Sequence, residues 1–135
     1  MTRRAGRIMC QIVIAGFLAG FAACGGGDGS TPTGPGSGPG PSGATITVAD
    51  GRVTPASVTI NVGQSVTFVN NNGRAHNVTS DPHPNHTDCP AINAVGNMTN
   101  GQTRLTNALT TARTCGFHNH DDPDNPNFRG TIVIR

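Results

Sequence analysis

A cysteine and several histidines give this 135-residue chain the residue types of a metal site. Cys115, His118 and His120 lie within one short stretch, and His76 lies far upstream at the start of a strand-like run. A thiolate with two or three imidazoles forms a soft nitrogen and sulfur donor set, which suits copper or zinc rather than magnesium or calcium. The chemistry of this stretch depends on whether the sulfur of Cys115 binds a metal ion or a second sulfur atom.

The elements that must position these side chains are short β-strands. Apolar and polar residues alternate, as at Ile46 and Val48, and Gly-Gln or Asn-Gly pairs mark turns between the runs. No segment shows a capped, sustained helical period. The predicted strands lie at residues 46–48, 58–62, 66–70, 76–79, 103–105 and 131–134. Their spacing predicts an all-β sandwich or barrel.

Two irregular stretches interrupt the strands, at residues 80–97 and 119–127. Long ordered loops in a small sandwich are usually functional or tied by a disulfide. The first stretch contains His83 and His86. These histidines belong either to a second metal site or to a polar, proline-stiffened loop in which they are solvated, and we expect the solvated loop.

The N-terminus has the features of an export signal. Three arginines within the first seven residues precede an apolar run, residues 8–20, which is too short for a comfortable membrane span. Phe-Ala-Ala-Cys at residues 21–24 matches the end of a bacterial lipoprotein signal, so residues 1–23 would be removed and Cys24 would carry the lipid. An ordinary cleaved signal peptide is the alternative. Export makes disulfides available to the chain.

Residues 24–43 would be the lipidated cysteine followed by a linker of Gly, Pro, Ser and Thr with a single Asp. Such a composition cannot bury a core and predicts a flexible tether. Residues 44–135 then form one domain of ordinary size. Without the three N-terminal arginines, six arginines face seven aspartates, a net charge of −1 with neutral histidines. No basic patch remains, which excludes nucleic acid as a partner.

The cysteine count leaves Cys89 and Cys115 in the domain, once Cys10 leaves with the signal and Cys24 is lipidated. Such a pair in an oxidising compartment is most often a disulfide. The bond would close a loop of about 25 residues and stabilise the fold by roughly 3 kcal/mol in the chain-entropy model. It would also consume the thiolate that a soft metal site needs. Both alternatives stay open, together with a mixed or zinc site.

Four sequence fragments follow one another in a characteristic order along residues 45–135. Residues 55–70 read Pro-x-x-Val-x-Ile-x-x-Gly-x-x-Val-x-Phe-x-Asn, His76-Asn77-Val78 follows, Cys115 precedes His118 by three positions, and Phe-Arg-Gly-Thr-Ile-Val closes the pattern. This order resembles the cupredoxins, the plastocyanin/azurin class of small copper proteins. The resemblance implies a Greek-key β-sandwich whose ligand loop holds copper through Cys115 and His118 together with His76, near a weak axial ligand that is usually Met.

The chain departs from that family at the ligand loop. Phe128 occupies the position of the axial Met, and Met98, the only Met of the predicted domain, lies on another segment. The loop from His118 to Phe128 is longer than the family's and contains His120, which could replace His118 as a ligand. Histidine ligands of the family do not normally come from the stretch at residues 80–97, which supports the solvated-loop alternative there.

The resemblance implies a copper-binding electron-transfer protein with a lipid anchor in the bacterial envelope, at the outer membrane, in the periplasm or at the cell surface. Its partner would be a redox protein of the envelope. We expect the protein to be a monomer. We also expect that it is not an enzyme, because no residue has a defined role as general base. The alternative is a binding module stapled by a Cys89–Cys115 disulfide, which stores or delivers copper or binds an envelope component. A catalytic mononuclear site with an open position has the least support.

Overall fold

Alternating apolar residues form nine strands in the computed structural model, which describes residues 38–135. In chain order the strands are β1 (Ser42–Ala49), β2 (Arg52–Thr54), β3 (Ser57–Ile60), β4 (Ser65–Asn70), β5 (His76–Ser80), β6 (Gly96–Met98), β7 (Thr103–Leu105), β8 (Arg113–Asn119) and β9 (Gly130–Ile134). This part of the chain contains no α-helix, and its only helical turns are 3₁₀ segments at Pro90–Ala94 and Pro126–Phe128.

The strands make two sheets, in the orders β2-β1-β4-β7 and β3-β9-β8-β5-β6. Neighbouring strands are antiparallel, except that β1 is parallel to β4 and β3 is parallel to β9. Because these parallel neighbours are not consecutive, the chain crosses between the sheets, as it does in Greek-key sandwiches. The predicted all-β sandwich is confirmed.

The core lies between the sheets and is built from alternate residues of their strands. Ile46 and Phe68 of the first sheet are fully buried, and Phe117 and Ile132 of the second sheet expose at most 1% of their surface. Phe68 and Phe117 meet edge to face, with their ring centroids 5.2 Å apart. Such a pair contributes about 0.5–1.5 kcal/mol beyond the area it buries, and here it joins the two sheets.

Strand β8 lies inside the second sheet, between β9 and β5. The sequence predicts a ligand loop from Cys115 to His118, and this prediction is wrong, because both residues belong to the strand. Side chains alternate across a strand, so Cys115 and Phe117 point into the core while Gly116 and His118 point to the opposite face. A Cys-x-x-His pair within a strand therefore directs its two side chains away from each other.

Strand β1 begins at Ser42, inside the segment that composition assigns to the tether. The backbone N–H of Gly40 donates to Oγ of Ser65 at 2.7 Å, and the N–H of Ser65 donates to the carbonyl of Pro41 at 3.0 Å. The predicted signal peptide, Cys24 and the linker up to residue 37 lie outside the described residues. Within residues 38–135, no helix has the length and apolar character needed to cross a membrane.

Candidate metal centre

Four histidines converge on the outer face of the second sheet. His83 and His86 come from the loop after β5, His118 comes from β8, and His120 follows that strand. One ring nitrogen from each lies within 4.8 Å of the others. The burial is graded, with His118 buried, His86 and His120 half-buried, and His83 exposed. We refer to these residues as the four-histidine cluster.

The alternation of β8 explains two members of the cluster. His118 and His120 are two positions apart, so they project from the same face of the sheet. The backbone N–H of His120 donates to the carbonyl of Asn77 at 2.7 Å, which continues the pairing with β5 beyond the end of β8. Thr79, which lies opposite His118 in the register, places its hydroxyl 3.4 Å from Nε2 of that ring.

The loop at residues 81–89 carries the other two members and is tied down at both ends. At its start, the N–H of Asp81 donates to the carbonyl of Gly116 at 3.1 Å. At its end, Cys89 forms a disulfide with Cys115, and the Cα atoms are 5.9 Å apart, a usual separation for this bond. The N–H of Cys89 also donates to Oγ of Ser80 at 2.7 Å. These ties hold the loop over the outer face of β8.

The disulfide resolves the alternatives for Cys115. Its sulfur is bonded to Cys89, so the disulfide that the sequence leaves open is confirmed, and Cys115 has no thiolate to offer to a metal. Both cysteines belong to the hydrophobic core, with at most 6% of their surface exposed. The thiolate ligand that the family resemblance implies is therefore absent, and the donors that remain are imidazole nitrogens.

Hydrogen bonds set the tautomers of two rings in the cluster. Nδ1 of His118 lies 2.6 Å from Oδ1 of Asp81, and Nδ1 of His86 lies 2.8 Å from the carbonyl of Ser80. An ionised carboxylate and a carbonyl accept only, so both Nδ1 atoms carry the proton and both Nε2 atoms are unprotonated acceptors. A histidine held in this way is the usual form of a metal ligand.

A hydrogen bond links the ring of His120 to the ring of His86. Nδ1 of His120 lies 2.9 Å from Nε2 of His86. Since Nε2 of His86 is the acceptor, Nδ1 of His120 is the donor. A cation that binds Nδ1 of His120 requires that proton to move to Nε2 of the same ring. Because only neutral imidazoles bind a metal, the affinity of the cluster for a metal should fall as the pH falls.

Burial favours the neutral form of His118. The buried position of the ring lowers the pKa of His118 from its usual value, and Asp81 opposes this shift through its hydrogen bond and its charge. The neighbouring His86 and His83 lower the pKa further. A metal needs the neutral ring, so the lowered pKa of His118 keeps this ring in the form that binds a cation.

His76 is not part of the cluster. Only 1% of its surface is exposed, and its ring packs on Phe128 with centroids 4.6 Å apart. Nε2 accepts a hydrogen bond from the Asn72 amide at 2.8 Å, and Nδ1 has no partner among the described residues. Asn119, which projects from the core face of β8, accepts the backbone N–H of Asn77 beside it at 2.8 Å.

The sequence therefore identifies only part of the cluster. His118 and His120 are on the predicted ligand list, but His83 and His86 are not. The expectation that these two are solvated holds for exposed His83 and fails for His86, whose half-buried ring is hydrogen-bonded to Ser80 and His120. Two signals in the sequence point to the cluster. A His-x-His pair in a strand puts both rings on one face, and a Cys89–Cys115 disulfide brings the preceding loop onto β8.

Comparisons with known proteins agree with this fold. A family model of copper-binding proteins, the plastocyanin/azurin family, matches residues 45–121, which is more than half of the chain. The structure is similar to amicyanin from Paracoccus versutus, with a TM-score of 0.55 at 20% identity, over 69% of this chain and 81% of amicyanin. It is also similar to a novel purple cupredoxin from Nitrosopumilus maritimus, with a TM-score of 0.52 at 17% identity, over 68% of this chain and 99% of that protein.

A search of curated proteins finds no match. The structural similarities, at these low identities, show the fold. The family match extends from β1 to the turn after β8, so it includes His76 and all four members of the cluster. The chain belongs to the plastocyanin/azurin family of copper-binding proteins.

Proposed function

We propose that this protein binds copper through the four-histidine cluster and stores or delivers it in the bacterial envelope. The observation that carries the proposal is the convergence of four imidazole nitrogens within 4.8 Å of one another. Copper is the metal of the family, and imidazole is a favourable ligand for it. The donor set thus fits copper, although His76, which the family resemblance implies as the first copper ligand, lies outside the cluster.

The residues of the chain have separate tasks in this proposal. His118 and His86 present unprotonated Nε2 atoms, His120 presents Nδ1 once its proton has moved to Nε2 of the same ring, and exposed His83 closes the site from the solvent side. Copper, when bound, supplies a Lewis acid with two accessible oxidation states. Thiolates select Cu(I), and a set of imidazoles without sulfur favours Cu(II) by comparison. The cluster therefore suits the capture of Cu(II).

The first test separates the cluster from the position that the resemblance implies. Cu(II) is titrated into the purified protein against a competing chelator, and His118→Gln is compared with His76→Gln. We expect His118→Gln to weaken binding by more than about 100-fold, beyond the roughly 10–100-fold that is typical when only an outer partner of a ligand is removed. His76→Gln should leave the affinity unchanged. Loss of binding in His76→Gln with retention in His118→Gln would overturn the proposal.

The absorption spectrum gives an independent readout. Because Cys115 is bonded to Cys89, the Cu(II) protein should lack an intense visible band from thiolate-to-copper charge transfer. A strong band of that kind in the oxidised protein would show that sulfur is a ligand and that the disulfide is not the functional state.

Electron transfer is a second candidate function, and the exposure of the cluster favours it. His83 is exposed and His120 is half-buried, so a redox protein of the envelope could approach the imidazole edge. Voltammetry of the copper-loaded protein discriminates the two functions. A reversible one-electron wave with copper retained in both states supports electron transfer, whereas release of copper on reduction supports storage and delivery.

We further propose that the protein is a monomer without catalytic activity and that a lipid on Cys24 anchors it. The lipoprotein-like sequence at residues 21–24 and the linker that follows support the anchor. Fractionation of cells that express the wild-type protein or Cys24→Ser tests it. The wild-type protein should sediment with membranes and incorporate labelled fatty acid, and the variant should do neither. A soluble, unlabelled wild-type protein would contradict the anchor.

A further inference from the structure

Asp81 occupies a position between the sheet and the loop of the cluster. It is the residue after β5, and its N–H donates to the carbonyl of Gly116 on β8 at 3.1 Å. Its own carbonyl accepts the N–H of Asp88 at 2.9 Å. The backbone of Asp81 is thus held from both sides, which limits the directions that its side chain can take.

The carboxylate of Asp81 reaches the cluster by lying across β8. Oδ1 is the partner of Nδ1 of His118, and Oδ2 lies 3.7 Å from the guanidinium of Arg129. The carboxylate is partly buried, with 28% of its side-chain surface exposed. The ring it contacts is almost completely buried, so this hydrogen bond is shielded from competing water better than an exposed one.

Gly116 makes this approach sterically allowed. A Cβ atom at residue 116 would lie 2.9 Å from Cγ of Asp81 and 3.2 Å from its Cβ, closer than side chains pack without moving. Glycine weakens a strand interior and often marks a close approach by another group. Gly116 and His118 project from the same face of β8, so a side chain that lies over Gly116 meets the near nitrogen of His118.

We propose that Asp81 and Gly116 form a positioning pair that sets the tautomer of His118 and thereby the copper affinity of the cluster. Asp81 keeps the proton on Nδ1, and Gly116 supplies the space that lets Asp81 do so. The effect on copper rests on the proposed function of the cluster, whereas the effect on the tautomer does not depend on copper. Neither residue contacts the metal in this proposal.

The tautomer is tested first, in the metal-free protein. Long-range ¹H–¹⁵N NMR spectra distinguish a protonated Nδ1 from a protonated Nε2, and the wild-type protein should show His118 with the proton on Nδ1. Gly116→Ala and Asp81→Ala should each shift His118 toward the Nε2-protonated form. A wild-type His118 that is already protonated on Nε2 would overturn the proposal without any variant.

Copper affinity is then compared in variants that leave all four histidines in place. Gly116→Ala and Asp81→Ala should weaken Cu(II) binding by about 10–100-fold, the usual effect of losing an outer partner of a ligand. Asp88→Asn is the matched control. It removes a carboxylate from the same loop, but this carboxylate pairs with Arg113 and not with His118. This control should keep both the tautomer and the affinity.

The outcomes separate the two proposals. If His118→Gln leaves copper binding intact, the proposed site fails, and the NMR result alone decides the role of Asp81. If His118→Gln abolishes binding but Asp81→Ala and Gly116→Ala keep the wild-type tautomer and affinity, only the positioning role fails. Gly116→Ala leaves every polar group of the site in place, so it covers the case in which Asp81→Ala does not fold.

Discussion

At the scale of the residue, His76 is a histidine buried in the core that lies outside the four-histidine cluster. It lies inside the sandwich against Phe128, with the guanidinium of Arg74 5.2 Å from the centre of the same Phe128 ring. Burial lowers the pKa of His76 from its usual value, and the charge of Arg74 lowers it further, with a smaller opposing effect from Asp121. The folded state therefore favours the neutral ring.

This pKa shift predicts acid sensitivity of the metal-free protein. The unfolded chain binds a proton at His76 near pH 6.5, whereas the folded chain resists it. The free energy of unfolding should therefore be constant above that pH and fall below it, until the lowered folded pKa is reached, by at most about 1.4 kcal/mol per pH unit for each such group. His118, whose pKa is also lowered, adds to the effect.

Denaturant unfolding at pH 7.5 and pH 5 measures the loss, and His76→Gln should reduce it. If the free energy of unfolding of His76→Gln depends on pH as it does in the wild-type protein, protonation of the His76 ring does not destabilise the folded state. All other titratable groups are common to both proteins, so the difference between the two profiles isolates His76.

At the scale of the element, the loop at residues 81–89 and strand β8 form one unit through the Cys89–Cys115 disulfide. Replacing both cysteines by alanine should lower the free energy of unfolding by roughly 2–4 kcal/mol. It should also weaken Cu(II) binding, because His83 and His86 would then have to be ordered at the moment of binding. Chelator competition and denaturant titration of the double variant check both effects.

The double alanine variant is the informative one, because reduced wild-type protein would offer its thiols to copper. His83→Ala in the disulfide-bonded protein is the matched control. It removes one exposed ligand but keeps the disulfide, so it separates the loss of a ligand from the loss of the covalent tie. A double variant that binds copper as tightly as the wild-type protein would show that the loop is ordered without the disulfide.

Most of the sandwich could be predicted from alternation in the sequence. All six predicted strands are present, whereas β2 and β6, with three residues each, are too short to show a period. β8 was missed for a different reason. Cys115 and Phe117 alternate with polar or small neighbours as in a strand, but the family resemblance assigns this stretch to a ligand loop.

The candidate site could be predicted only in part because its assembly depends on that missed strand. With Cys115 and His118 placed on a loop, both side chains can turn to one ion. With both on a strand, the two side chains point to opposite faces and the sulfur lies in the core. The contribution of His83 depends on long-range contacts of its loop, which no local pattern records.

At the scale of the whole molecule, the two sheets should unfold together, because Phe68 and Phe117 join them through the core. Phe68→Leu should lower the melting temperature, at a cost below the roughly 3–5 kcal/mol that is typical of Phe→Ala. The cluster lies on the outer face, so the folded variant should bind Cu(II) as the wild-type protein does.

Calorimetry with and without Cu(II) tests this separation of core and site. Copper that binds only the folded state raises the melting temperature, and the rise should be similar in the wild-type protein and Phe68→Leu and absent in His118→Gln. Loss of the copper effect in Phe68→Leu would show that the outer face depends on the packing of the core.

The disulfide also has a consequence for the order of events as the protein matures. In a chain whose cysteines are still reduced, nothing covalent holds the loop of His83 and His86 against β8. The four-imidazole site is therefore covalently fixed only after Cys89 and Cys115 have been oxidised. Newly made chains in a reducing compartment would present copper with two thiols instead, and the site made of imidazoles alone would form only where an oxidant has already acted on the protein.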